Sequence, residues 1–311
     1  MHIGATITCY NDQFAAKKLL DSLRSQIHPL AAILIVDNSK QQITLDTDDY
    51  NFHICIKHFP ENIGVSGAIT VSLEWAHENQ LEWLWLFDQD SIPAESALAE
   101  LMLATKGLPV STDTIGILAP AIFDSNSNER IDGFYWNRKT FIRAKKASNS
   151  EPYECDAVIN SGALINLNTV QRSDLPPPKL FIDGVDFMFC YKLRLRGLKI
   201  FVVPSSTVNH NLGNPKPVKI PFIKRKKFYY HLSPLRVFCI CRNFSFIELK
   251  YSKWPHTAVV VYLRIKHCLY FIIGALFGAE KKLQTIHAAI SGTFQGFLGE
   301  KFWGKKPPLV P

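Results

Sequence analysis

Residues 83–91, Trp-Leu-Trp-Leu-Phe-Asp-Gln-Asp-Ser (WLWLFDQDS), run five large apolar side chains straight into two aspartates one residue apart. A short, continuous apolar run bounded by turn-forming residues is the pattern of a strand buried on both faces. Two carboxylates about 4 Å apart repel by roughly 4 kcal/mol at an effective dielectric of 20, so the pair calls for a cation or for a structural reason. Oxygen ligands of this kind suit Mg2+ or Mn2+, which one or two carboxylates hold together with substrate phosphates. Ser91 and Pro93 also suit a helix start, and on the motif alone a capping role is the better reading of the aspartates.

Working outward, IGATITCY reads as a strand, and Phe14, Leu19, Leu20 and Leu23 recur behind it at helical spacing. AAILIVDNS, FHICIKHF and ENIGVSGAITVSLEWAHEN continue as strand, strand and helix up to the decisive run. Alternating β and α segments with near-continuous apolar strands predict an α/β, Rossmann-like, mostly parallel sheet covered by helices. Ligands of such sheets bind beyond the carboxyl ends of the strands. Polar clusters stand at three of those ends: Tyr10-Asn11-Asp12, Asp37-Asn38-Ser39 and Asp88-Gln89-Asp90. Further on, IGILAPAIFDS is expected to be a strand, VINSGALINLNTVQRS a strand and helix, and FMFCYKLRLRG a helix entered from the rigid Pro176–Pro178 loop.

Beyond residue 215 the composition changes to mixed aromatics and bases, with Lys224, Arg225, Lys226 and Lys227 as the strongest basic run. We expect a domain over 1–215 and a C-terminal helical extension over 216–311. The clean apolar stretch Cys268–Ala279 falls short of the roughly 20 residues that span a bilayer, so helices lying on a membrane surface are expected, with helices packed on the main domain as the alternative. The net charge of +8 and pI near 9.0 favour an anionic partner. With no nucleic-acid module and with acidic motifs, an anionic membrane surface fits better than nucleic acid. Seven scattered cysteines without a paired spacing suggest neither a disulfide framework nor a zinc site, and fit a reducing cytoplasm.

The order of TITCYND, SLRSQIHPLAAILIVDNS, ENIGVSGAI, LFDQDS, NSGALI, FIDGVD with RLRG behind it, VNHNLG and a closing GTFQGFLG resembles the inverting transferases of glycosyltransferase family 2, in the rhamnosyltransferase-like branch. The resemblance implies a GT-A fold and a metal-dependent transfer of a sugar from a nucleotide-sugar donor. It implies that Thr8, Tyr10, Asn11 and Asp37 hold the base, and that Asn62, Gly64 and Gly67 lie over the nucleotide. Asn160, Ser161 and Gly162 would form the floor near donor and acceptor. Asp88 and Asp90 match the metal-diphosphate motif, His210 a histidine that completes the metal site, and Asp186 the catalytic base, with Asp183 the second candidate. From the residues themselves, Asp37 equally suits a turn, Asn62 a helix N-cap, and Asp183 and Asp186 the cap of their helix.

The implied donor is dTDP-L-rhamnose and the implied acceptor a lipid-linked glycan of cell-surface polysaccharide, such as O-antigen, at the inner face of the cytoplasmic membrane. A galactofuranosyl or other hexosyl transferase, and a non-catalytic sugar-binding member, are the alternatives. Met188, Phe189 and Lys192 depart from the branch, which has glutamate, tryptophan and arginine there, and these departures bear on the acceptor.

Overall fold

The structure, a computed structural model, describes residues 2–47, 50–144, 151–211, 213, 216–218, 227–230, 232–304 and 306–308. The basic residues Lys224, Arg225 and Lys226 lie outside them. In chain order the elements are β1 (Ile3–Cys9), α1 (Gln13–Arg24), β2 (Ala32–Asp37), β3 (His53–His58), α2 (Gly64–Glu78), β4 (Trp83–Asp88), β5 (Ser91–Pro93) and α3 (Ala97–Gly107). There follow β6 (Ile115–Asp124), β7 (Arg130–Ile131), β8 (Phe134–Trp136), β9 (Phe141–Arg143), β10 (Tyr153–Cys155), β11 (Leu164–Asn166), α4 (Val185–Leu195) and β12 (Lys199–His210). The last are β13 (Lys216–Val218), β14 (Lys227–Tyr229), α5 (Pro234–Tyr251), α6 (His256–Gly278) and α7 (Lys282–Leu298).

Strands β3, β2, β1 and β4 pair in parallel, antiparallel β11 joins β4 to β6, and β12 runs parallel to β6 with β10 at the edge. The result is the mostly parallel α/β sheet that the apolar strands predict, with β11 inserted antiparallel and the short β5, β7 and β10 added antiparallel to β12 and β6. Trp83, Trp85 and Phe87 point to one face of β4 and lie in the sheet's core with Ile3, Ile7 and Leu164, as the period-two alternation of a strand requires. Strand β12 pairs with β6 in two stretches, with Pro204, Ser205 and Ser206 bulging out between Val203 and Thr207. Ser206 in the bulge is buried and donates to the carbonyl of Ala97.

Three local expectations change. Ser91–Pro93 forms β5 rather than a helix start, because the outer stretch of β12 offers it an antiparallel partner, and α3 begins only at Ala97. The segment after β11 makes one 3-10 turn at Arg172–Asp174 rather than a helix. On α1, Leu19, Leu20 and Leu23 are buried, but Phe14 is on the outer face.

The chain divides into two compact units. The first comprises residues 1–135, 142–176 and 186–212, and holds the large sheet. The second comprises 136–141, 177–185 and 213–311. It is built on α5, α6 and α7 around a core that includes Phe181, Val237, Phe238, Phe271 and Ala288. Gly292 and Gly296 of the GTFQGFLG segment explain the close approach of α7 to α5: a Cβ at either would strike the backbone carbonyl of Phe238 or Arg242. Helix α6 has 23 residues and a mean hydropathy of 1.7 over its most apolar window, so by length and composition alone it is long enough to cross a membrane. It exceeds the clean apolar stretch because Arg264, Lys266 and His267 lie within it.

Candidate active site

The carboxyl ends of β1, β2 and β4 lie side by side, with Cys9 opposite Asp37 and Thr8 opposite Asp88. β12 brings its own end to the same Asp-Gln-Asp segment through β5, whose Ser91 stands opposite His210. His210 is buried, and its Nδ1 lies 2.9 Å from Ser91 Oγ and 3.3 Å from Asp90 Oδ1. Ser91 Oγ is paired with Ser161 Oγ, which also accepts the backbone N–H of Asp88 at 3.1 Å. A run of hydrogen bonds thus links both aspartates to the histidine. Burial pulls the His210 imidazole pKa down, but the hydrogen bond to Asp90 and the charges of Asp88, Asp90 and Asp124 outweigh it and raise it above the ordinary histidine value. The site therefore attracts positive charge. Among the described residues no group of three or more His, Cys, Asp or Glu side chains is gathered as a ready metal site.

The nucleotide-side candidates fall into two kinds. Tyr10 is exposed, and its N–H donates to Gln89 Oε1 at 2.7 Å while Gln89 Nε2 returns a bond to the Tyr10 carbonyl at 3.2 Å. Asn11, in the left-handed region at φ 54°, donates its N–H to Ser39 Oγ at 2.7 Å. Thr8, Asp88 and Asn160 line one small cavity together with Val65. Asp37, by contrast, is 0% exposed: its two oxygens accept the backbone N–H groups of Ser39 and Ile43, each at 2.9 Å. The turn is thus formed by the Asp37 side chain. Asn62 is not the N-cap of α2, which is Ile63. It sits one residue earlier at φ 52°, and its Oδ1 accepts from Gly64 N. Gly64 and Gly162 both have positive φ, and Gly67 packs its Cα against Ile63. The Gly162 N–H and C=O bond Leu86 and the Trp85 indole, which ties the NSGALI segment to β4.

Residues 5–164 match the model of the family described as glycosyl transferase family 2, just over half of the chain. The chain belongs to that family. The dTDP-rhamnosyl transferase RfbF of Shigella flexneri is 23% identical to it over 96% of each chain. The galactofuranosyltransferase GlfT1 of Mycolicibacterium smegmatis is 24% identical over 50% of this chain and 54% of its own. Among solved structures, GalNAc-T7 with UDP, GalNAc and Mn2+ superposes with a TM-score of 0.56 at 17% identity, covering 88% of this chain and 50% of that one. S. aureus TarS 1-349 in complex with UDP-GlcNAc gives 0.55 at 14% identity, covering 94% and 82%. These likenesses establish a glycosyltransferase with a GT-A-like fold.

In this family 2 glycosyltransferase, Asp186 stands in the first turn of α4, where its Oδ1 accepts from Phe187 N at 3.0 Å and the helix N-terminus favours its charge. Asp183 belongs to the other unit and forms a two-pronged ion pair with Arg236, at 2.7 and 3.2 Å. The three departures from the rhamnosyltransferase pattern lie on α4. Met188 and Phe189 are buried, and Lys192 Nζ donates to the Leu175 carbonyl at 2.7 Å. Sequence reasoning places Gln89 and Ser39 only among the polar clusters at strand ends and Ser91 only at a helix start, and it misses Asp124. Their one available signal was a polar residue next to an apolar strand, which many surface turns share.

Proposed function

We propose that the chain is a metal-dependent, inverting glycosyltransferase that moves L-rhamnose from dTDP-L-rhamnose to a sugar hydroxyl of a lipid-linked glycan in cell-surface polysaccharide synthesis. The observation that carries the chemistry is the direct meeting of Asp90 with His210, to which Ser91 and Ser161 join the Asp88 backbone, at the carboxyl ends of the strands. The donor assignment is supported by the match to a dTDP-rhamnosyl transferase over nearly its full length. A galactofuranose donor is the second reading, favoured by the shorter match to a galactofuranosyltransferase.

The donor set fits a divalent cation. Carboxylate oxygens and an imidazole suit Mn2+ or Mg2+, and the charges of Asp88, Asp90 and Asp124 already converge on His210. Bound by Asp88, Asp90 and His210 together with the donor, such a cation would neutralise charge developing on the departing diphosphate. The protein's own residues do the rest. The Asp37 turn and the Gln89–Tyr10 pair fix the rim on which the base would rest. Asp186 takes the proton of the acceptor hydroxyl as that oxygen attacks the anomeric carbon, and the nucleoside diphosphate leaves from the opposite side. One displacement inverts the centre, so a β-L-rhamnosyl donor gives an α-L-rhamnoside.

We place the enzyme at the inner face of the cytoplasmic membrane. Support comes from Val259, Tyr262, Leu269, Ile273 and Leu276, an exposed apolar stripe along α6, and from Leu283, Ile290 and Phe294 on α7. The triple change Leu269→Ser, Ile273→Ser, Phe294→Ser is expected to abolish flotation with anionic liposomes, and unchanged flotation would sink this placement. The donor is tested by thermal unfolding with Mn2+ and a panel of nucleotide sugars, since a ligand of the native state raises stability with its concentration. Protection by dTDP-L-rhamnose is expected. Protection by UDP-galactofuranose alone would move the assignment to the second reading, and protection by neither would remove the reading of transfer from these donors.

A further inference from the structure

We propose that Asp132 is a specificity-determining residue that accepts a hydrogen bond from one hydroxyl of the transferred sugar, in a small cavity beside Ser161. The proposal rests on Asp88 and Asp90 as the metal-diphosphate site, and the residues it uses all belong to the sheet unit. Asp132 follows β7, which pairs antiparallel with the carboxyl-terminal part of β6. Its side chain keeps 2% of its surface exposed. A carboxylate at that depth is stable when both of its oxygens have donors, and an oxygen left without one calls for a reason. Here only one is supplied. Arg130 Nε donates to Asp132 Oδ1 at 2.8 Å, while Arg130 Nη2 lies 2.7 Å from the same oxygen, too misaligned to count as a hydrogen bond. The usual arginine fork would engage both oxygens. Among the described residues no group donates to Oδ2.

Asp132 lines a cavity together with Gly133, Val158, Ile159, Ser161 and Val202. With Oδ1 taken by Arg130, Oδ2 is the oxygen left for whatever enters. The cavity offers about 10 Å3 to the centre of a water-sized group, room for one water or one hydroxyl and for neither a phosphate nor a sugar ring. A carboxylate paired with arginine only accepts, so the entering group must bring the hydrogen. The Gly133 N–H already donates to Tyr153 Oη at 3.1 Å. Ser161 ties the cavity to the candidate active site: its Oγ pairs with Ser91 Oγ and accepts the N–H of Asp88 at 3.1 Å. The sugar is the part of the donor bonded to the diphosphate that Asp88 and Asp90 would face, so its hydroxyls come closer to Ser161 than the base does. An acceptor attacks from the side away from that diphosphate. A sugar with hydrogen or methyl at the recognised position would leave the carboxylate oxygen without a donor, which is how a site built for a hydroxyl rejects its deoxy analogue.

The test measures, by calorimetry on the full chain with Mn2+, the affinities of dTDP-L-rhamnose and of dTDP, or of UDP-galactofuranose and UDP should that donor alone protect the parent. Asp132→Asn keeps the size of the side chain and removes its charge. It is expected to weaken the donor about 10-fold, the scale of one hydrogen bond to a charged group, while the nucleoside diphosphate stays within about twofold of the parent. One monodeoxy analogue of the donor should bind the parent weaker by about the same 10-fold factor, and should bind Asp132→Asn no worse than the intact donor does, because both changes remove one contact. A crystal structure of the parent with Mn2+ and donor should show a sugar hydroxyl about 3 Å from Asp132 Oδ2, and decides the matter should Asp132→Asn fail to fold. Equal losses for donor and nucleotide, no loss for either, or a water alone at Oδ2 in the donor complex overturns the recognition of the sugar and leaves the transferase reading standing. A parent that binds neither donor overturns that reading, and the proposal with it.

Discussion

At the rim of the sheet, the Asp90 side chain keeps 40% of its surface exposed while one oxygen meets His210; in the helical unit the Glu248 side chain keeps 2% and faces Arg264 Nε at 2.9 Å. Both are carboxylates beside a cationic partner, but their surroundings differ. The rim aspartate can still take a ligand from solution. Glu248 accepts a hydrogen bond from Thr140 at 2.6 Å, while the Arg264 contact is too misaligned to count as a hydrogen bond. The buried pair is closed off, and its charge can serve only to place its own helices. Of these two pairs, the one at the sheet's rim keeps charge available to a ligand, and the one in the helical unit uses it for architecture.

The sharpest way to break that contrast is to take one partner from the buried pair. Arg264→Met should destabilise the protein by about 3–5 kcal/mol, because it strands a buried carboxylate, whereas adding Glu248→Leu should recover most of the loss. Denaturant titration of the single and double variants reads both. Asp90→Asn should do the reverse: it should leave the unfolding midpoint in the absence of metal within about 0.5 kcal/mol of the parent, yet lower donor turnover on the order of 10²–10³-fold, the scale seen when one charge-stabilising group is removed from a site. A loss of stability with unchanged turnover would erase the distinction.

His267 extends the comparison to pH. Burial, helped by the charge of Arg264, pushes its imidazole down to about 4. The unfolded chain, with an ordinary histidine, binds a proton that the fold excludes, so this contribution is complete above about pH 6.5 and is lost as pH falls toward 4. Its full extent is about 3 kcal/mol. His267→Phe should flatten that part of a pH-stability profile, and Arg264→Met, which removes a charge that helps hold the imidazole down, should make the loss smaller and complete at a higher pH than in the parent. The smallest expected effect is Ser91→Ala, which removes one link between His210 and Ser161 and should weaken Mn2+ binding about 10-fold, measured by calorimetry, with little change in folding.

Much of the sheet was legible because apolar runs such as 83–87 have one stable place, the centre of a covered sheet. Asp88 and Asp90 were legible as polar residues directly beyond such a run, while their metal role and that of His210 came only from the family resemblance. The pairing of Ser91 with Ser161 was not legible: they are common residues 70 positions apart, and Ser161 is implied only as part of the floor. Arg242 and Asn243, which donate to the carbonyls of Lys179 and Leu180, sit inside a helix among aromatics, and nothing in their own neighbourhood shows that these partners lie some 60 positions earlier. Asp37 illustrates a different difficulty, since the same Asp-Asn-Ser suits a ligand or a turn, and the backbone bonds to both of its oxygens show only the turn.

The bulge at Pro204–Ser206 imposes a rule on how β12 can change. His210 meets Ser91 and lies opposite Asp124 only because the strand rejoins β6 in register after three unpaired residues. Side chains alternate faces along a strand, so removing one of those residues would turn His210 away from the aspartates and present Asn211 in its place. Among descendants of this chain, the bulge can change its letters far more freely than its number of residues.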